Sequence, residues 1–363
     1  MDLEEIRKKI SNLDDQIIEL IAERESIVNE VSQYKIDSGI AIRDFSREKR
    51  VIGRAKDKAN ELNISADMIE SIMRLLIESS LSKQEKIRIK SNSVGKNKKG
   101  LIIGGSGKMG VWMDEFLSSQ GYTIDISDVT ASTDKVIHID WMKDSLDYDI
   151  IVVATPLSVT GNILSQLAKR KPRGLILDIA SLKSPLRDGL MQLSESGCKV
   201  ASIHPMFGSD TKLLSHKHVV LIDFGEPQAL AEAAELFAAT MVETVVMSLD
   251  DHDKVMGYIL GLSHLINIAF MDTLANSGEH LSKLKGISST TFNAQLNVAA
   301  RVIQENPNLY YEIQSLNSYG NHPIKQMMAS LTKLCDLIDQ ESKESFVEIM
   351  LEGKAYLKPI DSA

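Results

Sequence analysis

Lys99-Gly100-Leu101-Ile102-Ile103-Gly104-Gly105-Ser106-Gly107-Lys108-Met109-Gly110 decides how the middle of this chain folds. Leu101 to Ile103 is a short apolar run suited to a buried parallel strand, and it passes straight into G-x-G-x-x-G on Gly105, Gly107 and Gly110. A helical pattern follows from Val111 to Ser119. Gly121 stops it, and Tyr122 to Ser127 reads as a second strand ending at Asp128. In this order the glycines let the backbone turn sharply and approach a pyrophosphate, whose charge sits on the amides of the helix N-terminus. Gly105, Ser106, Gly107, Lys108, Met109 and Gly110 are the predicted cradle. Asp128 stands where such a motif carries an acid for the adenosine ribose, which favours NAD over NADP because a 2′-phosphate would meet a carboxylate. A glycine motif alone is also satisfied by a tight turn with no ligand; the order strand, loop, helix, strand, acid is what makes it specific.

With 363 residues the chain is too long for one ordinary core, so two or three domains are expected. Hydrophobic residues at 43%, charged residues at 25% and a net charge of −9 describe a globular protein and argue against a nucleic-acid binder. No run is expected to reach the apolar length of a membrane span, and Met1-Asp2-Leu3-Glu4-Glu5 lacks the features of a leader, so the expected location is the cytoplasm. Cys198 and Cys335 cannot make a disulfide framework, Cys335 is expected in the core, and no cluster has metal-ligand spacing.

Outward on the N-terminal side, residues 4–38 contain no Gly or Pro. Ile6, Ile10, Leu13, Ile17, Leu20, Ile27, Val31 and Tyr34 step by alternating four and three, the rhythm of a helix packed along a seam. Arg24 interrupts that seam. Such a helix would be about 50 Å long, which implies a partner helix, from a second copy. Two further helices are predicted, from Ser46 to Asn60 and from Ser65 to Lys90, and on the latter Ser80 and Gln84 stand one turn apart on an inward face. Interrupted seams also occur in structural bundles, where a polar residue sets register, and periodicity leaves both readings open.

Ile6-Arg7-Lys8-Lys9-Ile10, Leu13-Asp14, Ala22-Glu23-Arg24, Lys35, Arg43-Asp44-Phe45-Ser46-Arg47-Glu48, Ile77-Glu78-Ser79-Ser80 and Gln84 together resemble the all-helical chorismate mutase family, without a gap across this module. The resemblance implies an entwined homodimer whose mutase site is shared between chains, with Arg7 supplied by the partner. It further implies Arg24, Lys35 and Arg47 as a cationic wall and Asp44, Glu48, Ser80 and Gln84 as polar contacts to chorismate.

Ser91 to Lys99 reads as a polar linker. Beyond the glycine loop, strand and helix signals alternate, with strands at Asp149–Pro156, Leu175–Ala180, Val200–Ile203, Val219–Ile222 and Thr244–Met247. This predicts a parallel doubly wound, Rossmann-like sheet with ligands beyond the carboxyl ends of its strands, where Thr155, Pro156, Ser181 and Lys183 fall. His204-Pro205-Met206-Phe207-Gly208 holds a histidine in a fixed backbone suited to a catalytic hydrogen bond, although a lone histidine is more often structural. From Asp250 on, the pattern is helical.

Together with Asp178-Ile179-Ala180-Ser181-Leu182-Lys183 and the dinucleotide motif, H-P-M-F-G resembles the prephenate dehydrogenase family, and Asp251-His252-Asp253, Ser263-His264 and Ala299-Ala300-Arg301 through Tyr310 resemble its helical dimerisation domain. The resemblance implies His204 and Ser181 at the reacting hydroxyl, and Lys183 and Arg301 on carboxylates. A second arginine found in some members is Asn293 here. His252 and His264 are candidates that could equally be packing residues. The expected organisation is a helical mutase domain over 1–90, a linker over 91–99, the dinucleotide domain over 100–247 and a helical domain over 248–363. The expected function is a bifunctional chorismate mutase and NAD-dependent prephenate dehydrogenase. Alternatives are a mutase fused to an arogenate or other hydroxy-acid dehydrogenase, and a non-enzymatic nucleotide sensor carried on an oligomerisation bundle.

Overall fold

With no glycine or proline to break it, α1 runs from Leu3 to Asp37. It is followed by α2 (Phe45–Glu61) and α3 (Ala66–Ser91). Asp44 caps α2 by accepting from the Arg47 amide at 2.9 Å, and Ser65 caps α3 by accepting from the Met68 amide at 3.3 Å. α3 packs on both other helices. Along the N-terminal half of α1, Ile10, Leu13, Ile17 and Leu20 are each more than half exposed.

The computed structural model describes residues 2–129 and 139–358. They form two compact units. One runs through Ala180 and includes Asp188–Met247; the other is Ser181–Arg187 with the residues from Ser248 onward.

In the first unit, β1 (Lys99–Ile103), α4 (Lys108–Ser119), β2 (Thr123–Ser127), β3 (Ile150–Val153), α5 (Leu157–Arg170), β4 (Leu175–Asp178), α6 (Arg187–Glu195, from its second residue on), β5 (Val200–Pro205), β6 (His218–Asp223), α7 (Pro227–Glu235) and β7 (Glu243–Ser248, up to its penultimate residue) build one sheet with covering helices. The strand order is β2-β1-β3-β4-β5-β6-β7. The first five strands are parallel, so order reverses between β1 and β3, and the crevice at their carboxyl ends is where such sheets bind ligands. Ile102, Val152, Leu177 and Ile203, one from each of four strands, are fully buried. Contrary to the expected all-parallel order, β6 runs antiparallel to β5, with Ile203 opposite Leu221. The reason lies in residues 206–217, which contain no helix to carry the chain back across a face of the sheet.

The stretch read as a linker is seated on the sheet. Val94 packs against its core, and the Gly95 amide donates to the Gln120 carbonyl at 3.0 Å. Ile89, near the end of α3, belongs to the same buried cluster.

The second unit holds a short 3₁₀ turn (Ser184–Leu186), then α8 (Leu249–Met256), a π-helical segment (Gly257–Leu262), α9 (Ser263–Ala275), α10 (Leu281–Gly286), α11 (Thr290–Gln304), α12 (Pro307–Leu316), α13 (Asn321–Asp339) and α14 (Lys343–Tyr356). Leu249–Ala275 forms one helical stretch long and apolar enough, by length and composition, to cross a membrane, which corrects the expectation that no run reaches that length. It turns three polar side chains inward, His252, Asp253 and Asn267, and packs on α11 and α13, while 22% of its most apolar window is buried. Cys335 is exposed on α13 rather than buried; Cys198 is buried.

Candidate active sites

The interruption of the α1 seam has a partner across the bundle. Arg24 donates to Ser80 Oγ at 2.5 Å and to the Leu76 carbonyl at 3.0 Å. Ser80 and Gln84 are both buried, and Gln84 Oε1 has no hydrogen-bond partner. One turn beyond Val31, Lys35 donates to the Ile42 carbonyl. Burial lowers the pKa of its ammonium and the Arg47 guanidinium lowers it further, against the opposing pull of Asp44 and Glu48. The structure therefore brings Lys35, Asp44, Arg47 and Glu48 into one electrostatic neighbourhood, and Arg24, Ser80 and Gln84 onto facing helices. Arg7 is not among them. Its side chain is 66% exposed and lies 3.5 Å from Glu4, and α1 rises about 26 Å between Arg7 and Arg24.

At the end of β1 the residue in the left-handed region is Gly104, at φ +86°, not Gly105. A Cβ on Gly104 would lie 2.5 Å from the Ala154 carbonyl at the end of β3, so only glycine permits the turn. Gly107 caps α4, and its amide donates to the Gly104 carbonyl at 3.2 Å. Gly110 lets α4 approach closely, since a Cβ there would strike that same carbonyl. Lys108 is exposed on the first turn of α4, whereas Met109 packs inward against the core. The Ser106 amide donates to Asp128 Oδ2 at 2.9 Å. Ser106 Oγ is buried with no hydrogen-bond partner, an unspent donor in a cradle of helix N-terminal amides. These residues fit a pyrophosphate. Across the reversal in strand order, Thr155 Oγ1 lies 2.8 Å from Thr160 Oγ1 and Pro156 caps α5, which leaves a second helix N-terminus facing the crevice.

His204 is the penultimate residue of β5, buried, and registered opposite Val220. Three strand spacings, about 14 Å, separate β5 from β1, the scale on which a dinucleotide straddles a doubly wound sheet.

In the second unit Lys183 is completely buried. Its amide donates to both oxygens of Asp253, at 2.9 and 3.1 Å, and the Ser184 amide and hydroxyl donate to Asp253 Oδ2. His252 Nδ1 is 2.7 Å from Asp253 Oδ1, with both side chains fully buried. Burial alone would push the Asp253 carboxyl up, but the bonds from His252, Ser184 and the two amides outweigh it and hold it below the usual carboxylate range. His252 is thus placed in the network that fixes the Lys183 turn. Ser181 Oγ is buried without a partner.

Burial also lowers the pKa of His264, whose ring lies 4.3 Å from Tyr310 and whose Nδ1 is buried without a partner. Arg301 is exposed in the last turn of α11. Asn293, at the position of the missing second arginine, accepts from Ser288 Oγ at 2.9 Å and closes the turn before α11. Among the described residues no group of three or more metal-ligating side chains occurs.

Residues 6–85 match the chorismate mutase type II family, 117–246 the nucleotide-binding domain of prephenate dehydrogenase, and 248–352 its dimerization domain. The T-protein of Enterobacter agglomerans is 25% identical over 350 residues, covering 95% of this chain and 90% of its own. A chorismate mutase of Methanocaldococcus jannaschii is 37% identical over 97 residues, 27% of this chain and 96% of that protein. Among solved structures, a prephenate dehydrogenase from A. aeolicus in complex with hydroxyphenyl propionate and NAD+ has the same fold over 74% of this chain and all of its own, with a TM-score of 0.57 and 20% identity.

Proposed function

The chain belongs to the chorismate mutase and prephenate dehydrogenase families, joined in one polypeptide, and we propose how its own residues carry the two reactions. It rearranges chorismate to prephenate and then oxidatively decarboxylates prephenate to 4-hydroxyphenylpyruvate with NAD, two steps of tyrosine biosynthesis. The observation that carries this reading is that one compact unit holds both an inward cationic cluster, Arg24 and Lys35 with Ser80 and Gln84, and a glycine cradle beside an acid.

The rearrangement is concerted, so no nucleophile or proton transfer is required; the site must hold a dianion in its reactive conformer and stabilise charge growing on the ether oxygen. Arg24 and Arg47 hold carboxylates, Lys35 and Gln84 donate to the ether oxygen, and Asp44, Glu48 and Ser80 fix the remaining polar groups. The partner's Arg7 completes the site of a homodimer. What supports the dimer is the bare apolar stripe on the first half of α1, together with the length of helix that separates Arg7 from the cluster in its own chain.

For the second step, NAD when bound supplies the hydride acceptor. Ser106 and the amides from Gly105 to Gly110 hold the pyrophosphate, Asp128 the adenosine ribose, and Thr155 and Pro156 the far side of the crevice. His204 takes the proton of the ring hydroxyl, with Ser181 as a second hydrogen-bonding group, while Lys183 and Arg301 balance carboxylates. His252 acts by holding Asp253 at the Lys183 turn, and His264, kept neutral by burial, contributes a hydrogen bond rather than a charge. Loss of CO2 makes the ring aromatic and pulls the reaction forward. Both steps are assigned to the cytoplasm, a reducing compartment that suits two free cysteines.

Mixing subunits tests the shared site. Arg7→Ala and Lys35→Ala homodimers should each lack mutase activity, and an equal mixture allowed to exchange subunits should regain about a quarter of it, because random pairing gives half heterodimers with one intact site each. No recovery on mixing would overturn the sharing.

A further inference from the structure

Two of the anchors that tie the mutase helices to the sheet domain begin next to a residue assigned to the mutase site. Glu85 directly follows Gln84 on α3 and is only 2% exposed. Its two oxygens accept from the Met241 amide at 2.6 Å and the Leu214 amide at 2.9 Å, both in the sheet domain. Consecutive helical residues point about 100° apart, so α3 turns Gln84 toward the bundle and Glu85 into its neighbour. Arg43 lies in the connection between α1 and α2. Its Nε and Nη2 fork the two oxygens of Glu48 at 2.9 and 3.0 Å, its Nη1 bonds Ser215 Oγ and His216 Nε2, and its guanidinium lies 4.5 Å from the centre of the Phe45 ring.

Leu214, Ser215 and His216 all belong to residues 206–217, the connection that begins directly after β5. The same connection is pinned to α4 by Trp112 Nε1, which donates to the Thr211 carbonyl at 3.0 Å, and to α3 by Ser82 Oγ, which donates to the Lys212 carbonyl at 3.2 Å. It is therefore held from both sides. A carboxylate forked by a guanidinium has one orientation rather than several, and an arginine anchored at its other end can impose that orientation on a substrate-facing acid.

We infer that the sheet domain is part of the mutase machinery: Arg43, anchored by Ser215 and His216, positions Glu48, and Glu85, anchored by the Leu214 and Met241 amides, positions Gln84. Arg43 and Glu85 are positioning residues for the rearrangement. The inference rests on Glu48 and Gln84 being substrate contacts of the mutase site.

The test is made on the full-length chain with Ser215→Ala combined with His216→Gly, which removes both anchors of Arg43 and touches neither site. Glycine suits position 216, where φ is +61°. The Michaelis constant for chorismate should rise about five- to tenfold, with a smaller change in mutase kcat, while the kinetic constants for prephenate and NAD stay within about twofold of the parent. Arg43→Lys, which cannot fork Glu48, should match that loss rather than restore activity, and Glu85→Gln, which keeps one acceptor, should fall between Glu85→Ala and the parent. Unchanged mutase constants in the folded double variant, or an equal fall of both activities, overturn the inference. Glu48→Ala and Gln84→Ala separate the two claims. If they keep the parent's mutase rate, the site assignment fails and takes the inference with it; if they lose it while the double variant does not, the inference alone fails.

Discussion

The carboxylate of Asp128, at the end of β2, accepts the amide hydrogen of Ser106 at 2.9 Å, so the acid assigned to the adenosine ribose also holds the glycine loop after β1. Two contributions to cofactor binding are thereby separable. Asp128→Asn keeps an oxygen for the Ser106 amide and removes the charge that would repel a 2′-phosphate. The ratio of kcat/KM with NADP to kcat/KM with NAD should rise by about tenfold or more, while the loop keeps its shape. Asp128→Ala should in addition raise KM for NAD. Prephenate oxidation measured with both cofactors decides it, and an unchanged ratio in Asp128→Asn would reduce Asp128 to a loop cap.

Lys35 gives the mutase step a pH signature. Burial first, and the Arg47 guanidinium second, lower its pKa from the ordinary 10.5, so the charged form is lost at a lower pH than for an ordinary lysine. Mutase kcat/KM in the free enzyme should therefore fall as pH rises, beginning below 10.5, and Lys35→Arg should move that fall upward or abolish it. Stability runs the other way. The folded state sheds this proton before the unfolded state does, so the contribution of Lys35 to folding rises with pH between its folded value and 10.5. An alkaline limb identical in Lys35→Arg would assign the titration to another group.

Much of this molecule was legible because its signals are local. The alternating apolar steps give α1, and strand, glycine loop and helix follow one another in the order that a dinucleotide cradle needs. The dihedral angles are less legible. Gly104 and Gly105 are adjacent, and nothing in the letters says that Gly104 takes φ +86°. The direction of β6 was hidden for a related reason, because only the absence of a helix in 206–217 distinguishes a return from a crossover.

Pairings across long stretches of chain were not legible at all. Nothing near Asp253 in the sequence points to Lys183 and Ser184, about seventy residues upstream, which share its carboxylate. Arg43 sits inside the mutase motif, yet two of its partners, Ser215 and His216, lie in the other domain. Cys335 shows the limit of amphipathic patterns: α13 carries apolar residues on more than one side, and the cysteine falls on the exposed one.

That one chain performs both reactions at separate sites is tested most directly by supplying chorismate and NAD to the parent enzyme and to His204→Asn while following chorismate loss and NADH formation together. The parent should consume chorismate and form NADH. The variant should consume chorismate at the parent rate, accumulate prephenate, and form NADH about 10²- to 10⁴-fold more slowly, the loss expected when a positioned proton acceptor is removed. NADH formed by His204→Asn at the parent rate, or chorismate left intact by both proteins, would contradict it.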